Sequence, residues 1–440
     1  MSTQPVPAAP PLVGRFWRLS VVNVLSNLMV PLAGLISTAF LGHLPQVSSL
    51  AGVALATVLF NYIYWTFGFL RMGTTGLTAQ AAGQGDHDRV LLVAVRHWLL
   101  ALALGIAIVL LQAPLRTVGF ALLSAAPDVK EAAYRFYDAL IWGAPATLIN
   151  FVLVGWFLGR EQSGRVLVLT AITAFANVAL DYLFIVQWGW QSAGAGAATA
   201  ISQYLALAAG LAFVAVEVRP GAVAKVAHRI FDLVELQAIF SLNRDLVVRT
   251  FVLVTILGTF TNLGAAMGTD VLAANAVLMQ VVSLAAYFID GVAFATESLA
   301  GYFKGGGNFR QLRSLLYLAG AVSFTLGVAF ALVFIAFPGP LFGLLTDRAE
   351  LIERLARHAI WLLPVLAVGS LTWMLDGYFL GLTESKILRT SAIGAAVGFV
   401  PLAALAWQQQ SEPLLWLAVT TYMVGRLIPL TLRVGTVGDR

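Results

Sequence analysis

The sequence has no cysteine among its 440 residues, which excludes disulfide frameworks and thiolate metal sites. Charge is scarce too: Asp, Glu, Lys and Arg make up 11% of the chain, while 60% is hydrophobic. Soluble domains carry roughly 45–50% apolar residues, so no water-soluble fold would hide this much apolar surface. The five histidines, His43, His87, His97, His228 and His358, form no close pair at ligand spacing, and neither a metal nor a cofactor is expected. Met1 to Leu12 is Pro- and Ala-rich and lacks the ordered charged region, apolar stretch and cleavage site of a signal peptide. The formal net charge is +5, yet the basic residues lie between apolar runs and form no patch interleaved with aromatics. Membrane orientation explains them better than nucleic acid, and no nucleic-acid partner is expected.

What the chain does have is long apolar runs. A helix needs about 20 residues to cross roughly 30 Å of hydrocarbon. Twelve candidates fit, at about 16–41, 50–72, 90–113, 132–157, 166–187, 193–216, 245–267, 271–298, 312–337, 355–380, 389–407 and 413–432. Barrel strands would be half as long and alternate, so the expected class is an all-α integral membrane protein. Most Lys and Arg fall on the side of the termini, among them Arg15, Arg18, Arg89, Arg96, Arg249 and Arg389. Arg116, Lys130, Arg135, Arg348, Arg354 and Arg357 lie opposite, and Arg71 reads as the single clear arginine inside a span. The positive-inside rule then puts both termini in the cytoplasm, of a bacterial inner membrane or, in a eukaryote, an organelle membrane.

A repeat recurs at a constant offset of 222 residues. Phe157-Leu158-Gly159 returns as Phe379-Leu380-Gly381, Gly83 and Gly85 as Gly305 and Gly307, and Arg135 as Arg357. Six helices per repeat give the two halves the same orientation, so the expected architecture is two parallel-repeat six-helix bundles around a substrate cleft. Their expected bounds are an N-terminal tail 1–15, an N-lobe 16–216, a cytoplasmic linker 217–244, a C-lobe 245–432 and a C-terminal tail 433–440. The linker's mix of charge with Leu, Ile and Phe suggests an interfacial amphipathic helix.

Ionisable residues inside spans are costly and are therefore functional candidates. Asp181 is the clearest, with Asn177 one turn before it on the same face. Thr199, in the small-residue helix that follows, and Ser37, in the first helix, fall at a similar depth. These four oxygen-bearing side chains suit either a proton-loaded network or a small cation, H⁺ or Na⁺; the alternative is a buried Asp satisfied by its neighbours. In the second half, Asp290, Glu297 and Asp376 are candidates for substrate binding or C-lobe coupling, unless their side chains simply reach water or backbone ends. Arg71 suggests a gating or structural ion pair. Pro31 and Pro145 mark bends that either switch access or are static. Trp65, Trp142, Trp156, Trp188 and Trp190 read mostly as interfacial anchors. Gly83-Gln84-Gly85 lacks the context of a phosphate loop and reads as a turn.

Several stretches together resemble the multidrug and toxic compound extrusion (MATE) superfamily, in particular its DinF-like branch. They are Gly34 through Leu44, Phe67 through Leu77, Asn177 through Phe184, Asn243 through Arg249 and Asp290 through Glu297. The resemblance implies a V-shaped pair of six-helix lobes, here a monomer in the lipid bilayer. It would export small amphipathic, often cationic, compounds in exchange for protons or sodium. The family's N-lobe ion site resembles Asn177, Asp181 and Thr199 joined by an Asp in helix 1, where this chain has Ser37 in Gly34-Leu35-Ile36-Ser37-Thr38-Ala39. The alternatives are a lipid or lipid-linked saccharide flippase, which an Arg-rich central cavity would favour, and an intramembrane enzyme, for which no nucleophile–base pair is visible.

Overall fold

The computed structural model describes residues 11–121, 123 and 125–437, and among them there is no strand. Twelve helices among the described residues are long and apolar enough to cross a membrane. They are α1 Leu12–Gly42, α2 Val47–Gly83, α3 His87–Leu110, α4 Pro127–Gly159, α5 Ser163–Gln187, α6 Gln191–Glu217, α7 Leu233–Ala266, α8 Thr269–Gly305, α9 Phe309–Ala336, α10 Ala349–Gly381, α11 Ser385–Gln409 and α12 Glu412–Gly435. With twelve spans, the start of α1 and the end of α12 lie on one side, called here the terminal face.

Three expected edges move. Helix α1 already starts at Leu12, behind Pro11, so of the N-terminal tail residues 1–10 lie outside the described residues. The last helix runs to Val437, leaving residues 438–440 of the C-terminal tail outside them. Helix α7 starts at Leu233 rather than near 245, because the Asp232 carboxylate caps it by accepting from the Val234 and Glu235 amides at 3.0 and 3.4 Å. Between α6 and α7 the chain forms a short helix, Pro220–Val226, and one 3₁₀ turn.

The repeat is carried into structure position by position. Helix starts Val47 and Thr269, His87 and Phe309, Pro127 and Ala349, and Ser163 and Ser385 are each 222 residues apart. So are two side-chain caps: Asp86 accepts from the Arg89 amide at 2.9 Å and Asn308 from the Gln311 amide at 3.2 Å. A single 3₁₀ turn also interrupts both α4, at Ile141–Gly143, and α10, at Ala359–Trp361, though not at the 222-residue offset. Within each half, α4 and α10 approach α2 and α8 through glycines. A methyl on Gly155 would come within 2.5 Å of the Arg71 carbonyl, and one on Gly377 within 2.4 Å of the Ala293 carbonyl.

Between the halves the packing is reciprocal, which defines a pseudo-twofold axis. A methyl on Gly83 would lie 2.1 Å from the Tyr302 carbonyl, and one on Gly305 2.1 Å from the Gln80 carbonyl. Such approaches let α2 and α8 close on each other near the terminal face. Gln80 adds hydrogen bonds across the seam, donating to the Gly381 carbonyl at 2.9 Å and to the Thr383 hydroxyl at 3.1 Å.

Of the expected anchors, Trp65, Trp142, Trp188 and Trp190 are about half exposed, but Trp156 is buried. Its indole donates to the Val90 carbonyl at 3.1 Å, so Trp156 is a core residue that joins α4 to α3. Pro31 lies inside an unbroken α1, whereas Pro145 follows the 3₁₀ turn of α4.

Candidate functional site

Helices α1, α5 and α6 bring the four N-lobe residues together. The Ser37 hydroxyl reaches the Asp181 carboxylate, and it lies 3.2 Å from Asn177 Oδ1 and 3.1 Å from the Ala33 carbonyl. It has one proton to donate, and the charged acceptor makes the stronger bond. Asn177 Nδ2 donates to Thr199 Oγ1 at 3.2 Å. Asp181 is fully buried, and its Oδ1 has no hydrogen-bond partner. The helix changes pitch at this residue, continuing as one π-helical stretch over Tyr182–Gln187, a local irregularity often found at functional positions. All the converging atoms except the amide nitrogen are oxygens, the donor type for a proton or a hard cation. Among the described residues no three His, Asp or Glu side chains gather at metal-binding spacing.

The C-lobe candidates sit in a different environment. Arg71, on α2, pairs with Glu297, on α8, at 3.1 Å across the seam, and its guanidinium stacks over the Phe294 ring at 4.1 Å. Asp376, on α10, lies between two arginines: it accepts from Arg426 at 2.6 Å and also from Arg249. Glu297 and Asp376 are 0% and 4% exposed, so neither reaches water as the sequence reading allowed. Asp290 is partly exposed, one turn before Phe294, with no hydrogen bond or ion pair among the described residues; Arg71 and Arg249 lie within electrostatic reach. Three arginines and three carboxylates therefore balance in this region.

Arg249 and Arg426 are the functional candidates that sequence reasoning missed. Arg71 is not the single arginine within the spans: Arg249 lies inside the extended α7, and Arg426 is fully buried inside α12. An intramembrane charge was visible at Arg426, but its partner is 50 residues away, and no local spacing announces it.

On the side of the seam away from the terminal face, α2 and α7 leave an open cleft of about 510 Å³, lined by Tyr62 and Thr66 and by one face of α7 that includes Thr255, Thr259 and Asn262.

Two six-helix lobes related by a pseudo-twofold axis, with buried ionisable residues in both, define a multi-pass membrane transporter. The MatE family model matches the chain twice, over residues 23–183 and 247–405, once in each lobe. The DNA damage-inducible protein F of Escherichia coli is 33% identical over 94% of this chain and 90% of its own length. A probable multidrug resistance protein NorM of Thermotoga maritima is 24% identical over 80% of this chain and 75% of its own. A crystal structure of MATE in complex with MaL6 superimposes with a TM-score of 0.87 at 20% identity, over 97% of both chains. A MATE transporter described as outward-facing gives 0.86 at 20% identity, over 96% of both. The chain belongs to the MATE family, whose members are transporters and not enzymes.

Proposed function

We propose that this protein exports amphipathic, often cationic, small molecules by alternating access in exchange for H⁺ or Na⁺, with Asp181 as the coupling carboxylate. One observation carries the reading. Asp181 is the fully buried span carboxylate whose hydrogen-bond partner among the described residues, the Ser37 hydroxyl, is uncharged. A carboxylate held by a hydroxyl takes up and releases a cation more readily than one already neutralised by arginine. Asn177, Thr199 and Ser37 supply the remaining oxygens. Asp290 is the C-lobe acid best placed to meet a substrate, being partly exposed and unpaired, while Arg71 with Glu297 serves as a gate across the seam. Residues 16–216 and 245–432 act as the two moving bundles, joined by 217–244, with the bend regions of Pro31 and Pro145 accommodating the change.

The Lys and Arg bias supports cytoplasmic termini in a bacterial inner membrane. Close packing near the terminal face, with the cleft on the other side, supports an outward-open state. The flippase alternative loses its main argument because Arg71, Arg249 and Arg426 are taken up in ion pairs rather than lining the cleft. The test is uptake of a fluorescent organic cation into proteoliposomes under separate H⁺ and Na⁺ gradients. Uptake that follows one gradient supports antiport; uptake that follows neither overturns it.

A further inference from the structure

The cleft between α2 and α7 combines two features. No charged side chain lines it or the adjoining pocket of about 450 Å³, which shares Tyr62, Gly258 and Asn262 with it. Its walls nevertheless carry a polar stripe, with Thr255, Thr259 and Asn262 on one face of α7 and Asn61 and Tyr62 opposite on α2. The Asn61 and Asn262 amides and the Tyr62 hydroxyl would be stranded without partners against lipid, so this face lines a wet path or a ligand site.

The hydrogen bonds give the stripe a polarity. Thr255 donates its hydroxyl proton to the Phe251 carbonyl and Thr259 donates to the Thr255 carbonyl, each at 2.8 Å. Both oxygens are left with free lone pairs and no proton to give. Asn262, Asn61 and the Tyr62 hydroxyl have no side-chain hydrogen bond among the described residues, and Tyr62 and Trp65, each about half exposed, provide flat aromatic surface. Thr255 and Thr259 can only accept, and so read N–H and O–H groups on a planar molecule, while Asn61, Asn262 and Tyr62 can donate or accept; no fixed charge is there to require a cation.

Building on the exporter reading, we propose that this cleft selects its cargo by hydrogen-bond donors. It takes planar aromatic amphipaths bearing N–H or O–H groups, charged or neutral.

Equilibrium binding in nanodiscs tests this with three probes: ethidium, a cation with two amino groups; 2-aminoacridone, a neutral donor; and tetraphenylphosphonium, a cation with no donor. In the double variant Thr255→Val/Thr259→Val, the Kd for ethidium and for 2-aminoacridone should rise about tenfold, as expected for loss of paired acceptors. Tetraphenylphosphonium should change less than about twofold. The double variant Thr255→Ser/Thr259→Ser keeps the acceptor oxygens and should restore wild-type binding. Equal weakening for all three probes, unchanged ethidium binding, failure of the serine variant to rescue, or no binding to the wild type would each overturn the proposal. Gradient-driven transport of the same probes by the wild type separates the two readings. Donor-selective binding without transport sinks the exporter and leaves the selector standing; transport without donor selectivity does the reverse.

Discussion

The two lobes share a backbone plan but treat buried acid differently. In the N-lobe, Asp181 accepts from the Ser37 hydroxyl, and its other carboxylate oxygen has no partner among the described residues. At the offset position of the C-lobe stands Ala403, and the two buried C-lobe acids are held by guanidinium groups instead: Asp376 by Arg249 and Arg426, Glu297 by Arg71. Burying an ion pair is expensive, but removing one partner costs more because it strands the other. On the proposed reading, the repeat has therefore diverged into a site that can exchange its counterion and a network that cannot do so cheaply. Each lobe's acid should fail in its own way.

The largest effect on transport is expected at Asp181. Asp181→Asn keeps shape and hydrogen bonding, so expression and thermal stability should persist while gradient-driven export falls by more than about tenfold. Proteoliposome uptake beside a thermal melt checks both halves, and unchanged export would make Asp181 structural. Asp376→Asn should do the opposite. It leaves two buried guanidinium groups facing each other without a carboxylate, a loss of about 3–5 kcal/mol. The melting temperature should fall well below that of Asp181→Asn, and equal stability of the two variants would erase the contrast between the lobes.

A smaller effect is expected at the seam. Glu297→Gln replaces the ion pair with Arg71 by a weaker neutral contact, so the terminal face should open more often. The chain contains no cysteine, which makes a single introduced thiol a clean reporter. Ala79 lies fully buried where α2 meets Gly301. In an Ala79→Cys background, maleimide labelling should be about threefold faster with Glu297→Gln than without, an equilibrium shift of less than 1.4 kcal/mol. Unchanged labelling would mean that the pair does not hold the seam.

These contrasts also mark what the sequence made legible. Apolar run length and the 222-residue repeat yielded the spans and the two-lobe plan, because helix spacing and the Gly155 and Gly377 approaches are encoded locally and written twice. Ser37, Asn177, Asp181 and Thr199 were found together because helix direction assigns depth, and four polar residues at one depth stand out in an apolar chain. The arginine network was not found. Depth alone does not say which of α7, α8, α10 and α12 face each other, so Asp290, Glu297 and Asp376 were visible as charges without visible partners. The start of α7 was missed for another reason. The segment through Asp232 reads as a linker with an interfacial amphipathic helix of its own, and apolar run length does not show that the Asp232 cap starts a helix continuous with the span.

The smallest and most specific effect concerns Ser37, where the family pattern carries a carboxylate. The Ser37 hydroxyl already touches Asp181, so a longer acidic side chain must swing toward Asn177, whose Oδ1 lies 3.2 Å from the hydroxyl. That contact becomes favourable if the Asn177 amide turns over. Its Nδ2 then donates to the new carboxylate, and its Oδ1 accepts from Thr199, whose hydroxyl now donates to the Ala195 carbonyl at 2.9 Å. Two carboxylates in a site this buried repel each other unless a proton or a sodium ion sits between them, so the pair has a stronger demand for the coupling ion than one carboxylate and a hydroxyl. Ser37→Asp should therefore raise gradient-driven export about two- to fivefold at low driving force, where ion loading limits the cycle. The double variant with Asp181→Asn should lose most of that gain, because two groups sharing one ion act as a unit and their effects do not add. A gain that survives Asp181→Asn would place the coupling ion elsewhere, and an unchanged rate in Ser37→Asp alone would show that α1 contributes contact at this site but no ion binding.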